Sequence, residues 1–316
     1  MHCLQENRVI LKLGSDKKSI YATRCCFKPE VVIGGLTFEQ IEELSKQVIY
    51  QEGDLKIYWS LANWSKDIFY KVPKYDMSVS EKCKTSAVRC RLSEMTFRNI
   101  SVNFSHACNL RCKHCYYDKY DSQEIQKLYF NTLKSLKNIY CDISFTEEGE
   151  PFINKEKMLE VLNMYHGGLH KAVHFISNMT LLDSEYIEKL HELAKKSGVY
   201  YSFVASCDGI TKETYKEIRR IDAFDKVIEN IKHIAEIGAL DNSMNIDGIN
   251  FIVQPDNLKE IFEVKPFFNT IFEGLGDKVN IIPFCKSSLK PESADIEKEI
   301  LNSAEWKEYC RQNKKV

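Results

Sequence analysis

From about residue 98 onward, short apolar runs alternate regularly with amphipathic stretches, and this alternation constrains the fold more than any other feature of the chain. RNISVNFS (98–105), YCDISFT (140–146), KAVHFIS (171–177), VYYSFVAS (199–206), NIDGINFIV (245–253) and KVNIIPF (278–284) have the length and β-branched or aromatic content of strands. Between them, 124–139, 155–166, 184–198, 224–237 and LKEIFEVKPFF (258–268) read as helices. In the clearest, Phe224, Val227, Ile228, Ile231, Ile234 and Ala235 form one apolar stripe. Lys195, Lys196 and Gly198 mark the stop of the 184–198 helix. Six strands in repeating βα order imply a parallel sheet with helices outside. Six units are too few to close an eight-stranded barrel, so the expected fold is α/β, a partial (β/α)6 TIM-like barrel. Chemistry in such a sheet gathers at the C-terminal strand ends, here just after Ser105, Thr146, Ser177, Ser206, Val253 and Phe284.

The first 97 residues have a different character. ENRVILKLG (6–14), KSIYATRCCF (18–27), LKIYWSLANW (55–64) and DIFYKV (67–72) read as strands. TFEQIEELSKQV (37–48) reads as a helix capped by Thr37, with Glu39 and Gln40 in its first turn. Residues 76–98 are polar and irregular, as in a linker. The expected organisation is a separate α+β domain over 1–97, the barrel over 98–285 and a helical tail over 286–316.

Forty-four Lys and Arg stand against 45 Asp and Glu, which argues against a protein whose main task is gripping nucleic-acid backbone. No segment reaches the roughly 18–20 apolar residues that span a bilayer, and the N-terminus has no signal-peptide pattern, so a cytoplasmic protein without membrane attachment is expected. Thiols stay reduced there. The 12 cysteines therefore point to metal or redox chemistry rather than to a disulfide framework.

Three of them are grouped. Cys108, Cys112 and Cys115 lie in HACNLRCKHCYY, directly after the first barrel strand, with spacing Cys-x3-Cys-x2-Cys. Three thiolates within eight residues wrap one side of a metal or of a cubane cluster. One reading is a zinc site completed by His106 or His114, but no distant second ligand pair at zinc spacing is present. The other is a [4Fe–4S] cube with one iron left open for a substrate or cofactor.

This cysteine pattern, in this place, resembles the radical S-adenosylmethionine (radical SAM) superfamily over about residues 98–285. Three further stretches carry the resemblance. FTEEGEPF (145–152) is similar to the family's Gly-Gly-Glu-Pro loop, with Gly149, Glu150 and Pro151 in register and Glu148 in place of the first glycine. ISNMTLL (176–182) is similar to its Thr-Asn-Gly-Thr stretch, with Ser177 and Asn178 matching in kind and Met179 where glycine is usual. ASCDGITKETYKEIRR (205–220) resembles the Ser-x-Asp-Gly…Arg pattern of peptide- and protein-modifying members, and Asn257 continues the similarity.

The resemblance implies a [4Fe–4S] cluster on the three cysteines and S-adenosylmethionine chelating the fourth iron. It also implies reductive cleavage to methionine and a 5′-deoxyadenosyl radical that abstracts a substrate hydrogen. Gly149 and Glu150 would receive the methionyl amino group, Ser177, Asn178 and Ser206 would approach the cofactor, Arg219 would pair with its carboxylate, and His114 would lie near the adenine. Cys207 is the candidate hydrogen donor to a substrate radical. An electron donor of flavodoxin or ferredoxin type is implied as partner. The substrate expected is a peptide or protein, with the N-terminal region receiving it by strand addition. The alternatives are a small molecule or nucleoside and, more remotely, a non-catalytic zinc protein. The cysteines after Cys207, Cys285 and Cys310, are too few for a complete auxiliary cluster from the C-terminus alone.

Overall fold

A computed structural model describes residues 8–13, 19–23, 32–37, 99–115, 122–137, 142–145, 148–283 and 293–313. Its strands are β1 (Arg8–Leu13), β2 (Ser19–Thr23), β3 (Val32–Thr37), β4 (Asn99–Val102), β5 (Asp142–Phe145), β6 (Ala172–Ser177), β7 (Tyr200–Ser206), β8 (Met244–Val253) and β9 (Val279–Pro283). The helices are α1 (Gln123–Leu136), α2 (Lys155–Leu162), α3 (Ser184–Ser197), α4 (Lys212–Arg219), α5 (Phe224–Asp241), α6 (Val264–Ile271), α7 (Ser293–Asn302) and α8 (Ala304–Gln312).

The described strands make one nine-stranded sheet in the order β3-β2-β1-β4-β5-β6-β7-β8-β9. From β4 to β9 every neighbour is parallel and sequential. This is the partial (β/α)6 TIM-like barrel that the alternation implies.

Strands β4 and β7 are buried along most of their length because both faces are covered. Phe145, Phe175 and Phe203 are matched across β5, β6 and β7 by the register. Phe145 and Phe203 stack on Phe175 at 5.5 and 5.0 Å between centroids, and Phe152 closes the row with Tyr186 of α3 edge-on to it. Such pairs add about 0.5–1.5 kcal/mol each beyond their buried area. Helix starts follow side-chain caps, Ser122 on α1, Asn154 on α2, Asp183 on α3 and Thr211 on α4. Gly198 closes α3 at φ +68°.

Three features differ from the sequence reading. The stretch 258–268 is not one helix. A 3-10 segment (Pro255–Phe262) runs into α6, and Asn257 is held in its turn by a side-chain contact with the Gln254 backbone. Helix α4 lies within the motif 205–220, where its eight residues carry only Tyr215 and Ile218 as apolar anchors. The N-terminal strands do not stand apart from the barrel: β1 runs parallel to β4 with Val9 opposite Ile100, and β2 and β3 continue the same sheet antiparallel. The helix expected at 37–48 (beyond Thr37, which ends β3) and the strands expected at 55–64 and 67–72 lie outside the described residues. Near the C-terminus the chain forms α7 and α8, with Trp306 and Tyr309 buried. No described helix is long and apolar enough to cross a membrane.

Candidate active site

The loop that follows β4 carries the three cysteines and is pinned by backbone contacts. Lys113 N–H donates to the Ile218 carbonyl at 2.9 Å, and Glu150 N–H donates to the Ala107 carbonyl at 2.9 Å. Leu110 is buried beneath it. Cys108, Cys112 and Cys115 are half-buried and line a cavity of about 260 Å3 at the C-terminal strand ends. None of the described cysteines forms a disulfide. N–H groups already point at two of the sulfurs. Leu110 N and Asn178 Nδ2 approach Cys108 Sγ at 3.4 and 3.8 Å, and Arg219 Nη1 approaches Cys112 Sγ at 3.6 Å.

The loop after β5 forms the facing wall. Gly149 has φ +79°, and a Cβ there would sit 2.1 Å from the Ser105 carbonyl oxygen and 2.9 Å from that of Ala107. Only glycine lets this loop lie against the cysteine loop. Gly149→Ala is therefore expected to cost about 2–5 kcal/mol, the sum of left-handed strain and overpacking. A urea-unfolding midpoint unchanged from the parent would contradict that close approach.

Glu150 is buried, and its carboxylate ties its own loop to the end of β6. It accepts from Ser177 Oγ at 2.8 Å, from Asn178 N–H at 2.9 Å and from Phe152 N–H at 3.3 Å. Burial pushes its pKa up from an ordinary 4.5 to about 7, with the three donors opposing the shift. Between about pH 4.5 and 7 the unfolded chain ionises at this position while the folded chain keeps its proton. Stability from this group is thus full below that range and falls by on the order of 3 kcal/mol across it. Glu150→Gln is expected to flatten that decline, read as unfolding midpoints at pH 5 and pH 8. An identical decline in both proteins would refute the assignment.

Glu148 shows why a carboxylate replaces the family's glycine. Its N–H donates to Asn103 Oδ1, and its carboxylate lies 2.7 Å from His106 Nδ1. His106 is buried and places Nε2 2.6 Å from the Tyr129 hydroxyl. Both ring nitrogens are thus engaged inside the fold, so His106 is not the zinc ligand considered from sequence. Met179 takes the left-handed conformation at φ +63°, where the family has glycine. The strain of about 1–2 kcal/mol is offset by its complete burial.

The ends of β7 and β8 complete the site. Ser206 lines the cavity. Asp208 is fully buried, accepts from Ile252 N–H through Oδ1, and pairs through Oδ2 with Arg219 Nη2 at 2.7 Å. Arg219 is only 5% exposed, so it is no solvated helix-end cation. Its fork is already spent on Asp208 and the Cys112 sulfur. His114 lines the cavity and is held by Gln254 at 3.0 Å. Asn257 donates to the carbonyls of Asp208 and Ile252, which joins the two strand ends.

Cys207 is a correction. It is 0% exposed within the apolar core, does not line the cavity, and turns its thiol to the Gly209 carbonyl. Burial pushes its pKa up to about 12. Strand alternation accounts for this, because Ser206 points to the cavity and its neighbour points away.

No sequence motif marks Asn103, Asn250 and Gln254 as site residues. Their signal is only position, one polar side chain at or near a strand end.

Residues 102–260 match the family model described as the radical SAM superfamily, and the chain belongs to that superfamily. It is accordingly a radical SAM enzyme that uses a [4Fe–4S] cluster and S-adenosylmethionine, and the zinc-protein alternative is set aside. The donor chemistry fits, since thiols are the cluster's ligands and N–H groups near sulfur are a known means of tuning it. A Saccharolobus islandicus protein named "Probable GTP 3′,8-cyclase" is 24% identical over 168 residues, 52% of this chain and 51% of its own length. A Methanocaldococcus jannaschii protein of the same name is 25% identical over 217 residues, 66% of this chain and 67% of that protein. The chain thus spans about half the length of the first of these relatives. Among solved structures, Streptococcus suis SuiB bound to precursor peptide SuiA covers 99% of this chain and 71% of its own, at 16% identity and a TM-score of 0.48.

Proposed function

We propose that this enzyme abstracts a hydrogen atom from a peptide or protein substrate, as a maturase of a ribosomally made peptide. The observation that carries the radical chemistry is the convergence of the thiol loop, the Glu150–Ser177–Asn178 web and Arg219 on one cavity. In this reading Cys108, Cys112 and Cys115 hold three irons of the cluster. When bound, the cluster and S-adenosylmethionine supply one-electron cleavage of the C5′–S bond to methionine and a 5′-deoxyadenosyl radical. The chain's own residues bind, orient and exclude water. Glu150 and the backbone at Gly149 receive the methionyl ammonium, and that cation favours the ionised carboxylate against burial. Ser177, Asn178 and Ser206 face the cofactor with hydroxyl and amide groups, and His114 stands at the adenine end, oriented by Gln254. Arg219 lines the same cavity with its terminal nitrogens held by Asp208 and the Cys112 sulfur, so the cofactor carboxylate is not assigned to it.

Two features support the peptide class. The Ser-x-Asp-Gly…Arg register is one. The other is the sheet itself, which β1–β3 extend until β3 is its outer strand among the described residues. A peptide pairs readily with such an edge. The same reading places residues 1–97 as a recognition region, a flavodoxin- or ferredoxin-type protein as electron donor, and the enzyme in the reducing cytosol. A nucleotide substrate is the second reading, favoured by the relatives' printed name.

The discriminating experiment gives the reduced, cluster-loaded enzyme GTP or short peptides encoded beside its gene. The expected result is a mass change in a peptide, with 5′-deoxyadenosine formed above the substrate-free rate. Conversion of GTP with every peptide unchanged would replace the peptide reading.

A further inference from the structure

We infer that Arg219 is a positioning residue for electron uptake: held between Asp208 and Cys112, it raises the reduction potential of the cluster. The inference rests on the reading of Cys112 as a cluster ligand. Arg219 Nη1 lies 3.6 Å from Cys112 Sγ, while Nη2 lies 2.7 Å from Asp208 Oδ2. Both side chains are almost wholly buried, so water screens neither charge as it would at the surface. The guanidinium is a rigid plane, and fixing one arm on the carboxylate fixes what the other presents to sulfur.

Each partner is itself immobilised. Asp208 is anchored by Ile252 N–H on Oδ1, and its backbone carbonyl accepts from Asn257. The cysteine loop is tied to the last turn of α4 by the bond from Lys113 N–H to the Ile218 carbonyl, one residue before Arg219. The spacing between the cation and the sulfur is therefore built into the backbone.

An electron added to the cluster makes its sulfurs more negative. A buried cation with an N–H aimed at one of them stabilises the reduced form more than the oxidised form, which raises the potential. The carboxylate on the far side works in the opposite sense and offsets part of the effect. The pair acts as a dipole whose positive end faces Cys112. Easier acceptance of one electron from a low-potential flavodoxin- or ferredoxin-type donor follows.

The test uses the full chain, anaerobically reconstituted, with iron counted before a mediator-coupled titration followed by electron paramagnetic resonance of the reduced cluster. Arg219→Gln is expected to lower the midpoint potential and Asp208→Asn to raise it, both with the parent's iron content. Arg219→Lys keeps the charge and is expected to shift the midpoint less than Arg219→Gln. A merely structural role would not move the two potentials in opposite directions. Movement in the same direction, or no movement with full iron, overturns the inference. Arg219→Gln leaves a buried carboxylate without its cation. If that protein does not fold, Asp208→Asn decides alone, and a midpoint at or below the parent's overturns the inference. Cys112→Ala is measured in parallel. Parent-level iron at an unchanged potential in that protein overturns the ligand reading instead, which keeps the two failures distinct.

Discussion

With Cys108, Cys112 and Cys115 all replaced by alanine, the protein is expected to lose the about four irons per chain that a single [4Fe–4S] cluster contributes. The three side chains are half-buried and line one cavity, so removing them empties the ligand set without excavating the core. The loop itself is held by other means: the backbone bonds Lys113–Ile218 and Glu150–Ala107, and the burial of Leu110. The variant should therefore fold, lack the brown visible absorption of the parent and bind no iron on reconstitution. Iron analysis beside far-ultraviolet circular dichroism checks both halves. A folded variant that keeps its iron would show that the cluster sits elsewhere in the chain.

Glu150→Ala is expected to have the second-largest effect, and through two routes. The first is structural. The substitution strips the acceptor from Ser177 Oγ and from the N–H groups of Asn178 and Phe152, all buried. An unsatisfied buried donor costs about 1–3 kcal/mol, so even with one donor re-paired the loss is several kcal/mol. Part of it is returned because the costly ionised carboxylate is gone. The second route is binding. A charge-assisted hydrogen bond to the cofactor's ammonium is worth about 1.5–3 kcal/mol, or roughly ten- to a hundredfold in affinity. Equilibrium binding of S-adenosylmethionine to the folded, cluster-loaded variant measures it. Affinity within twofold of the parent would remove Glu150 from the cofactor site.

Much of the barrel was legible in the sequence because its signals are local. Apolar runs of four to seven residues set β4 to β7, the stripe Phe224–Val227–Ile231–Ile234 sets α5, and Gly198 stops α3. The cavity was legible for the same reason, since βα order fixes which strand ends meet. What escaped was set by contacts distant in sequence. Pairing of Val9 with Ile100 joins β1 to β4 across 90 residues, and nothing in either strand names its partner. Glu148 read as a flaw in a glycine motif until His106, 42 residues earlier, proved to be its partner. Arg219 was matched to a carboxylate, but the carboxylate that holds it in the structure is the protein's own Asp208. Cys207 does not face the cavity because one residue of strand register separates the cavity wall at Ser206 from the core.

The central claim, that this cavity performs reductive cleavage of S-adenosylmethionine, is tested most directly by product analysis. Cluster-loaded protein is mixed anaerobically with S-adenosylmethionine and a strong one-electron reductant such as dithionite, and the products are separated by chromatography. The expected result is 5′-deoxyadenosine and methionine in equal amounts, formed slowly without substrate and absent from the triple-alanine protein. Formation of S-adenosylhomocysteine alone, or of neither product from protein with a full cluster, would contradict it.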